Sequence, residues 1–340
     1  MIAKAHGGVG LQHITKGKLE NLLLCLPPLA EQYRIVAKVE ELMALCDQME
    51  AARKEEEKWR GRMAASTLHR LANGASPAEF QDSSRFCLNH LFDLTIRPAQ
   101  ISGLRQTVLS LAVRGRLATQ DPDDEQAFEL LKRVQDEKSR RIKEGSLRRE
   151  RLLPPIIEGD VPFAIPASWS WTRIGTCSLL TEYGTSVKSD QAEHGVPVLA
   201  MGDIQAGKVI LGTRKKVPRQ IEDLPQLYLK RFDLLYNRTN SAELVGKTGI
   251  YLGEDDAYTF ASYLIRIRFV SNLTDPVYAN IAMNAPYFRE TQIVPELQQQ
   301  CGQANVNGSK LRNMMIPLPP LAEQHRIVAK VEELLTLLDL

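Results

Sequence analysis

The chain has 340 residues, of which 44% are hydrophobic and 25% charged, and its formal net charge is +2. This composition predicts a soluble globular protein with two or three cores, and the near-neutral charge excludes a chain that is basic over its whole surface. The chain has no apolar run of about 18 residues and no signal-peptide core, and its five cysteines form no CxxC pair, so we expect a cytoplasmic protein with reduced thiols and no metal site.

A 23-residue block occurs twice, at residues 26–48 and 318–340, with 18 of its 23 positions identical. The segments that lead into the two copies also align, residues 14–21 with residues 306–313. The chain therefore uses one structural joint to carry different modules, as repeat proteins do. Its function then depends on what the module between the two joints recognises.

The first copy of the block predicts a long helix at about residues 29–71. Pro27 and Pro28 suit the first turn of a helix, and an apolar seam then follows the alternating spacing of a coiled coil. A helix of about 40 residues is about 60 Å long, which is typical of a spacer or a docking rod. Residues 1–25 align with the segment before the second copy, so we interpret them as the C-terminal tail of a first domain.

The apolar seam is predicted to dock another helix or another subunit, because an exposed apolar stripe promotes aggregation. The candidate docking residues are Ile35, Val39, Leu42 and Met49 in the first copy, and Ile327, Val331 and Leu334 in the second.

A linker at 75–82 and shorter helices at about 84–148 complete a central helical region, residues 26–160. Between Lys132 and Arg151 the chain has nine Lys or Arg and four Asp or Glu. A solvated helix and linker is the favoured interpretation of this segment, with contact to phosphates as the alternative.

Residues 161–317 change in character and predict a compact α+β domain. Short apolar runs separated by Gly, Asp and Asn indicate strands, and two helices are expected near 276–284 and 286–299. The predicted strands are 196–201, 234–237, 249–252 and 263–270. Residues 318–340 begin a distal helix. The predicted fold class is therefore α+β, with long coiled-coil-type helices and one globular domain.

Motifs for catalysis are weak. Asn284-Ala285-Pro286-Tyr287 resembles the Asn-Pro-Pro-Tyr signature of amino-methyltransferases, but its second residue is alanine and no glycine-rich cofactor loop precedes it. A break between two helices, with Pro286 at a helix start, is the favoured interpretation. The sequence contains neither GxxxxGK[ST] nor GxSxG. We expect a protein that is not an enzyme and has no catalytic residues.

The strand at 234–237 leads into the polar side chains that read base edges and phosphates in DNA. From Thr213 to Lys247 there are eight Lys or Arg and four Asp or Glu, a local excess that suits DNA. A polar turn with a solvated basic loop explains the composition equally well. The candidate DNA-binding residues are Arg214, Lys215, Lys216, Asn237, Arg238, Thr239, Asn240, Ser241 and Lys247.

The chain resembles the specificity subunits of type I restriction–modification enzymes. The joint PLPPLAEQHRIV at 317–328 is similar to the end of a target-recognition domain entering a helix in that family. Other segments that resemble the family are 104–117, 166–175, 237–241, 245–249 and 303–310.

The resemblance implies two recognition domains held apart by antiparallel helices, each reading half of a bipartite double-stranded DNA target. It also implies DNA-adenine methyltransferase subunits and a translocase–nuclease subunit as partners. S-adenosylmethionine, ATP and magnesium would belong to those partners, with no cofactor in this chain.

The chain has only one complete recognition domain, so it is expected to be a half-length subunit or a truncated product. Two copies would supply two domains, which makes a homodimer on an interrupted palindrome the hypothesis for assembly. The alternative function is a coiled-coil adaptor whose α+β domain binds protein rather than DNA. A second alternative, adenine methylation by the chain itself, requires a binding site for S-adenosylmethionine.

Overall fold

The computed structural model describes residues 16–73, 77–90, 98–189, 194–213, 215–300 and 303–338. The chain divides into two compact units, residues 1–62 and 63–340. This division falls inside a helix and differs from the domain boundaries expected from the sequence, which stay a prediction. The described residues contain no helix long and apolar enough to cross a membrane.

The first unit is helical where it is described. It holds α1 (Lys16–Glu20) and most of α2 (Leu29–Asn73), the helix that the sequence predicts at about 29–71. Pro28 lies just before α2, and its carbonyl accepts hydrogen bonds from the amides of Glu31 and Gln32. Ion pairs one turn apart, such as Lys38–Glu41 at 2.8 Å and Lys54–Glu50 at 2.6 Å, add support along the exposed helix.

The second unit begins with the last turns of α2 and three more helices. These are α3 (Pro77–Asn89), α4 (Pro98–Val113) and α5 (Ala127–Lys143). The linker predicted at 75–82 is wrong from Pro77 onward, because this proline starts a helix: its missing N–H costs nothing in the first turn. Ala64, Leu71, Cys87 and Leu111 form a small core among these helices.

The basic segment after Lys132 behaves largely as a solvated helix. Glu137 on α5 accepts hydrogen bonds from Arg140 at 2.7 Å and from Arg141 at 2.6 Å. Lys138 is buried and donates to the carbonyl of Gly175 at 2.8 Å. Carboxylates and carbonyls of the chain therefore engage a large part of this positive charge.

The rest of the second unit is the α+β part, which confirms the predicted fold class. Its strands are β1 (Ser170–Arg173), β2 (Leu180–Tyr183), β3 (Val196–Leu199), β4 (Ile204–Gln205), β5 (Lys208–Val209), β6 (Lys216–Val217), β7 (Leu234–Asn237), β8 (Thr239–Asn240), β9 (Thr248–Ile250), β10 (Thr259–Phe260), β11 (Leu264–Arg268), β12 (Gln298–Gln300), β13 (Gln303–Asn305) and β14 (Met315–Leu318). Its helices are α6 (Ile174–Cys177), α7 (Leu224–Leu227), α8 (Pro276–Asn284), α9 (Gly308–Asn313) and α10 (Leu321–Leu337).

A six-stranded sheet in the order β2-β11-β7-β9-β5-β4 organises this part. Strand β7 lies between β11 and β9, antiparallel to both, and all four of its residues are buried. A central strand is covered on both faces, which explains its continuous apolar sequence. Three smaller sheets have the orders β10-β3-β6, β12-β13-β8 and β1-β14.

Helix α8 starts at Pro276 and is capped by Asp275, whose carboxylate accepts a hydrogen bond from the amide of Val277 at 2.7 Å. The second helix expected at 286–299 is instead a π-helical turn at Phe288–Ile293 followed by a 3-10 turn at Val294–Glu296. Tyr287 is buried in the main core and stacks edge-on against Phe163 at 5.2 Å.

Candidate nucleic-acid interface

Asn237 ends strand β7, and its side chain closes the polar turn from inside. It is 1% exposed, and its Nδ2 donates to the carbonyl of Leu244 at 3.4 Å. Its backbone N–H donates to Lys247 and its carbonyl accepts from Gly246, so the turn closes on the strand end. The prediction that Asn237 contacts DNA is therefore wrong for this conformation, because no free surface of the side chain faces solvent.

Gly246 allows this turn to close against the core. Its φ is +89°, and a Cβ at this position would lie 2.3 Å from Cδ1 of Ile293. A side chain there would be strained in its backbone and would clash with the π-helical turn.

Arg238 is the predicted residue that the structure positions most firmly. Its guanidinium lies 4.9 Å from the ring centroid of Tyr183, within the distance of about 6 Å for a cation–π contact. Nη1 donates to the carbonyl of Ser262 and Nη2 to Oδ1 of Asn305, both at 3.3 Å. The half-buried side chain is therefore held in one orientation just after the end of the central strand β7.

The next three predicted residues follow Arg238 directly in the chain. Thr239 and Asn240 form strand β8, which pairs with β13, and both are half-buried. The hydroxyl of Thr239 lies 3.4 Å from Oδ1 of Asn305, and the amide of Ser241 donates to Oδ1 of Asn240 at 2.8 Å. Ser241 is exposed. Arg238, Thr239, Asn240 and Ser241 therefore form one polar strip that reaches solvent.

Tyr183, Tyr263 and Asn305 belong to this strip but were missed from the sequence. Tyr183 is 42% and Tyr263 52% exposed, which is high for aromatic side chains. The hydroxyl of Tyr183 accepts a hydrogen bond from the amide of Gly308 at 2.5 Å. These residues come from segments far apart in the chain, so no local pattern links them to Arg238.

The other predicted basic residues do not form one patch. Lys215 is exposed, Lys216 is half-buried in strand β6, and Arg214 lies outside the described residues. Lys247 is exposed just before β9, which belongs to the six-stranded sheet, whereas β6 belongs to the sheet β10-β3-β6. Lys230 is 2.5 Å from Asp256 and 3.7 Å from Asp255, so part of the local positive charge is neutralised.

The two arginines of β11 hold the sheet together. The carboxylate of Asp233, 1% exposed, accepts hydrogen bonds from Nε of Arg268 at 2.6 Å and from its Nη2 at 2.5 Å. Arg266 is also 1% exposed; it bonds Glu182 and donates to the carbonyls of Tyr228 and Gln226, each at 2.8 Å. Burial lowers the pKa of Arg266, and the nearby Asp233 carboxylate opposes that shift. These charged side chains therefore stabilise the fold.

The second copy of the repeated block enters the core of the second unit. Glu323 accepts a hydrogen bond from Nε1 of Trp169 at 2.8 Å, and burial raises the pKa of this carboxyl. Gln324 accepts from the amide of Asp275 at 2.7 Å. Identical residues in the first copy, Glu31 and Gln32, lack such contacts among the described residues of their own unit.

Two docking residues predicted in the second copy of the repeated block need correction. Ile327 is 0% and Val331 is 2% exposed because both pack into the main core of their own unit, and Leu334 is half-buried. Ile327 and Val331 are therefore not free to dock another subunit. In the first unit the exposed fractions remain high: Ile35 46%, Val39 52%, Leu42 48% and Met49 66%.

Asn284 and Tyr287 do not form a methyltransferase-like site. Nδ2 of Asn284 donates to the carbonyls of Thr248 at 3.1 Å and Asn280 at 2.8 Å, which fastens α8 to strand β9. Tyr287 is packed in the core and cannot stack on a base. The predicted break between helices lies here, with Ala285 ending α8.

Residues 181–340 match the family described as "Type I restriction modification DNA specificity domain". The chain is 28% identical over 337 residues to the type I restriction enzyme EcoEI specificity subunit of Escherichia coli, covering 98% of this chain and 57% of that protein. It is also 28% identical over 338 residues to the Escherichia coli EcoAI specificity subunit, covering 97% and 56%. The chain thus spans a little over half the length of these relatives.

A similar fold occurs in a solved structure described as "Structural basis underlying complex assembly and conformational transition of the type I R-M system". The TM-score is 0.51 with 18% sequence identity, over 98% of this chain and 58% of that one. The likeness supports the fold alone. Along nearly its whole length the chain is similar to type I restriction–modification specificity subunits, and residues 181–340 match their DNA specificity domain.

Proposed function

We propose that the chain is the sequence-specific DNA-binding component of a type I restriction–modification complex and directs methyltransferase and nuclease subunits to a bipartite target. The observation that carries the proposal is the ordered guanidinium of Arg238, held by Tyr183 and Asn305 beside a solvent-accessible strip of hydroxyl and amide groups. A preoriented guanidinium suits bidentate contact with guanine. The domain match over residues 181–340 supports the same role.

Arg238→Ala is expected to weaken binding to the cognate DNA site by about 1–3 kcal/mol and to change binding to random DNA little, because a base contact is lost. The measurement is fluorescence anisotropy with both duplexes, the cognate site being taken from the methylation motif of cells that carry the complex. Arg238→Lys is the matched control, since it keeps the charge but removes the planar guanidinium.

Equal losses on both duplexes for Arg238→Ala would make Arg238 a phosphate contact, and unchanged binding would remove the strip from the interface.

The adaptor alternative gives a different result: binding to protein with little dependence on salt. Binding to DNA through phosphates falls steeply as salt rises.

The exposed stripe of α2 is proposed to dock a DNA-adenine methyltransferase subunit. Leu42→Asp is expected to abolish co-purification with that subunit, because a carboxylate buried in an apolar contact is costly. Gln48→Asp is the control: it adds the same charge to the same exposed helix outside the seam. Co-purification that survives Leu42→Asp would refute the docking proposal, provided that circular dichroism shows both variants folded.

A homodimer is the proposed assembly, since one recognition domain reads one half-site. Two-fold symmetry would place two identical domains on inverted half-sites of an interrupted palindrome. Light scattering on the purified complex is expected to give two copies of the chain, and the methylation motif is expected to be palindromic. A single copy in a stable complex, or an asymmetric motif, would contradict this assembly.

Catalysis is proposed to lie in the partner subunits, with S-adenosylmethionine, ATP and magnesium bound there for methylation, translocation and cleavage. The cytoplasm, where the DNA is, is the proposed compartment. The relatives are specificity subunits, which supports recognition as the task of this chain.

A further inference from the structure

A cavity of about 510 Å3 lies in the second unit, and its lining includes none of the residues 238–241 of the polar strip. Its walls come from helices α4, α8 and α10, from the β4–β5 hairpin and from strand β9. Small-molecule sites are clefts of about 300–1,000 Å3 with mostly apolar walls and a few polar groups. Leu109, Val277, Ile281 and Leu335 supply apolar walls of this kind.

The polar lining of the cavity favours an anion. Lys208 and Lys247 are exposed, and neither has an ion-pair partner among the described residues. The guanidinium of Arg231 donates to the carbonyl of Leu252 at 2.7 Å and has no ion-pair partner among the described residues. Arg105 also lines the cavity, and Glu332 is the one carboxylate among the described lining residues. Lys208, Lys247 and Arg231 are the lining cations that have no ion pair among the described residues, and their charge would attract a phosphate-bearing ligand.

Two asparagines one turn apart on α8 provide a hydrogen-bonding edge in the same cavity. Asn280 donates through Nδ2 to the carbonyl of Gly207 at 2.8 Å, the one hydrogen bond that this Nδ2 group donates among the described residues. Asn284 donates through Nδ2 to neighbouring oxygens, and no hydrogen bond to its Oδ1 is found among the described residues. A donor beside an acceptor complements adenine, which presents an amino group beside a ring nitrogen.

The backbone is strained where it borders this cavity. Phe232 has a φ of +72° and Ala206 a φ of +47°, both in the left-handed region that L-residues with side chains rarely adopt. The two-residue turn of the β4–β5 hairpin accounts for Ala206. For a bulky residue such as Phe232 the conformation is an outlier, and outliers of this kind cluster at ligand sites. The ring of Phe232 lines the cavity with the guanidinium of Arg231 over it at 5.1 Å, and both an aromatic ring and an arginine can stack on a base.

We propose that this cavity binds an adenine nucleotide, with the base between Phe232 and the asparagines of α8 and the phosphates on Lys208 and Lys247. The nucleotide acts as a ligand and is not consumed. Because α10 and the β4–β5 hairpin both line the cavity, the ligand would fasten the repeated helix to the sheet. This inference does not rest on DNA recognition.

The test is isothermal titration calorimetry of the full chain without DNA, using ATP, inosine triphosphate, adenosine and inorganic pyrophosphate. ATP is expected to bind more tightly than adenosine or pyrophosphate, because each of these keeps only part of the contacts. Inosine triphosphate replaces the amino group of adenine with a carbonyl and is expected to bind about tenfold more weakly, since the asparagine edge is then mismatched.

The variant Lys208→Gln/Lys247→Gln is expected to bind ATP at least about tenfold more weakly, because two charge-assisted contacts are lost. Lys132→Gln/Lys330→Gln is the matched control. It removes the same charge from surface lysines that pair with Glu129 and Glu333 outside the cavity. Thermal denaturation without ligand is expected to show both variants folded.

Three results would overturn the proposal: no ATP binding at millimolar concentration, equal weakening by the two double variants, or equal affinity for ATP and pyrophosphate. Displacement of ATP by duplex DNA would also overturn it and assign the lysines to DNA. DNA-binding anisotropy with the same preparations distinguishes this proposal from the proposal of DNA recognition. If ATP does not bind, Arg238→Ala is still expected to weaken binding to the cognate DNA.

Discussion

Asp233→Ala is expected to lower the free energy of unfolding of the second unit by about 3–5 kcal/mol, because it leaves buried arginine charge without its carboxylate. The carboxylate of Asp233 accepts two hydrogen bonds from Arg268 and one, at 2.8 Å, from the amide of Lys230. It also lies 3.9 Å from Nη1 of Arg266, which is 1% exposed. The variant therefore leaves Arg268 and the amide of Lys230 without this acceptor, while Arg266 keeps its bond to Glu182.

Urea denaturation followed by intrinsic fluorescence measures this loss. Glu129→Ala is the control, since it breaks the surface pair with Lys132 at 2.9 Å and is expected to cost no more than about 1 kcal/mol. A loss for Asp233→Ala as small as that of the control would show that the buried arginines find other partners.

Ile327→Ala is expected to destabilise the second unit by about 2–5 kcal/mol, because it opens a cavity in a close-packed core. Ile327 is fully buried, whereas Ile35, the equivalent residue of the first copy, is 46% exposed. Ile35→Ala is therefore expected to change stability by no more than about 0.5 kcal/mol in the monomer. The two substitutions remove the same atoms from the same local sequence.

The comparison requires urea denaturation at a protein concentration below that at which the chain self-associates, because association would cover the first copy and stabilise it. Equal losses for the two variants would mean that Ile35 is buried in the isolated chain. Repeating Ile35→Ala with the methyltransferase subunit bound is expected to increase its effect, if α2 docks that partner.

Elements with a strong local pattern were predicted close to their observed bounds. The sequence predicts a helix at about 29–71 and the structure has Leu29–Asn73; it predicts a strand at 234–237 and the structure has Leu234–Asn237. Prolines at a helix start and a heptad seam act over one or two turns, and a buried central strand needs a continuous apolar run. Such signals depend only on neighbours in the chain.

The candidate site was predicted only in part. The sequence placed Arg238, Thr239, Asn240 and Ser241 in one turn, and the structure keeps them on one polar strip. Asn237 was grouped with them because it is polar and adjacent, yet it closes the turn from inside. Whether a polar residue after a strand faces solvent depends on the loop that folds back over it, here at Leu244.

The duplicated block separates local from tertiary information most clearly. The sequence by itself determined that both copies are helices with the same apolar seam, since 18 of 23 residues are identical and helical periodicity is local. Only the tertiary structure decided that Ile327 and Val331 lie in a core, with Glu323 on the indole of Trp169, while Ile35 and Val39 stay exposed in their unit. The physical reason is that burial is set by what packs against a face, and identical sequences meet different surroundings.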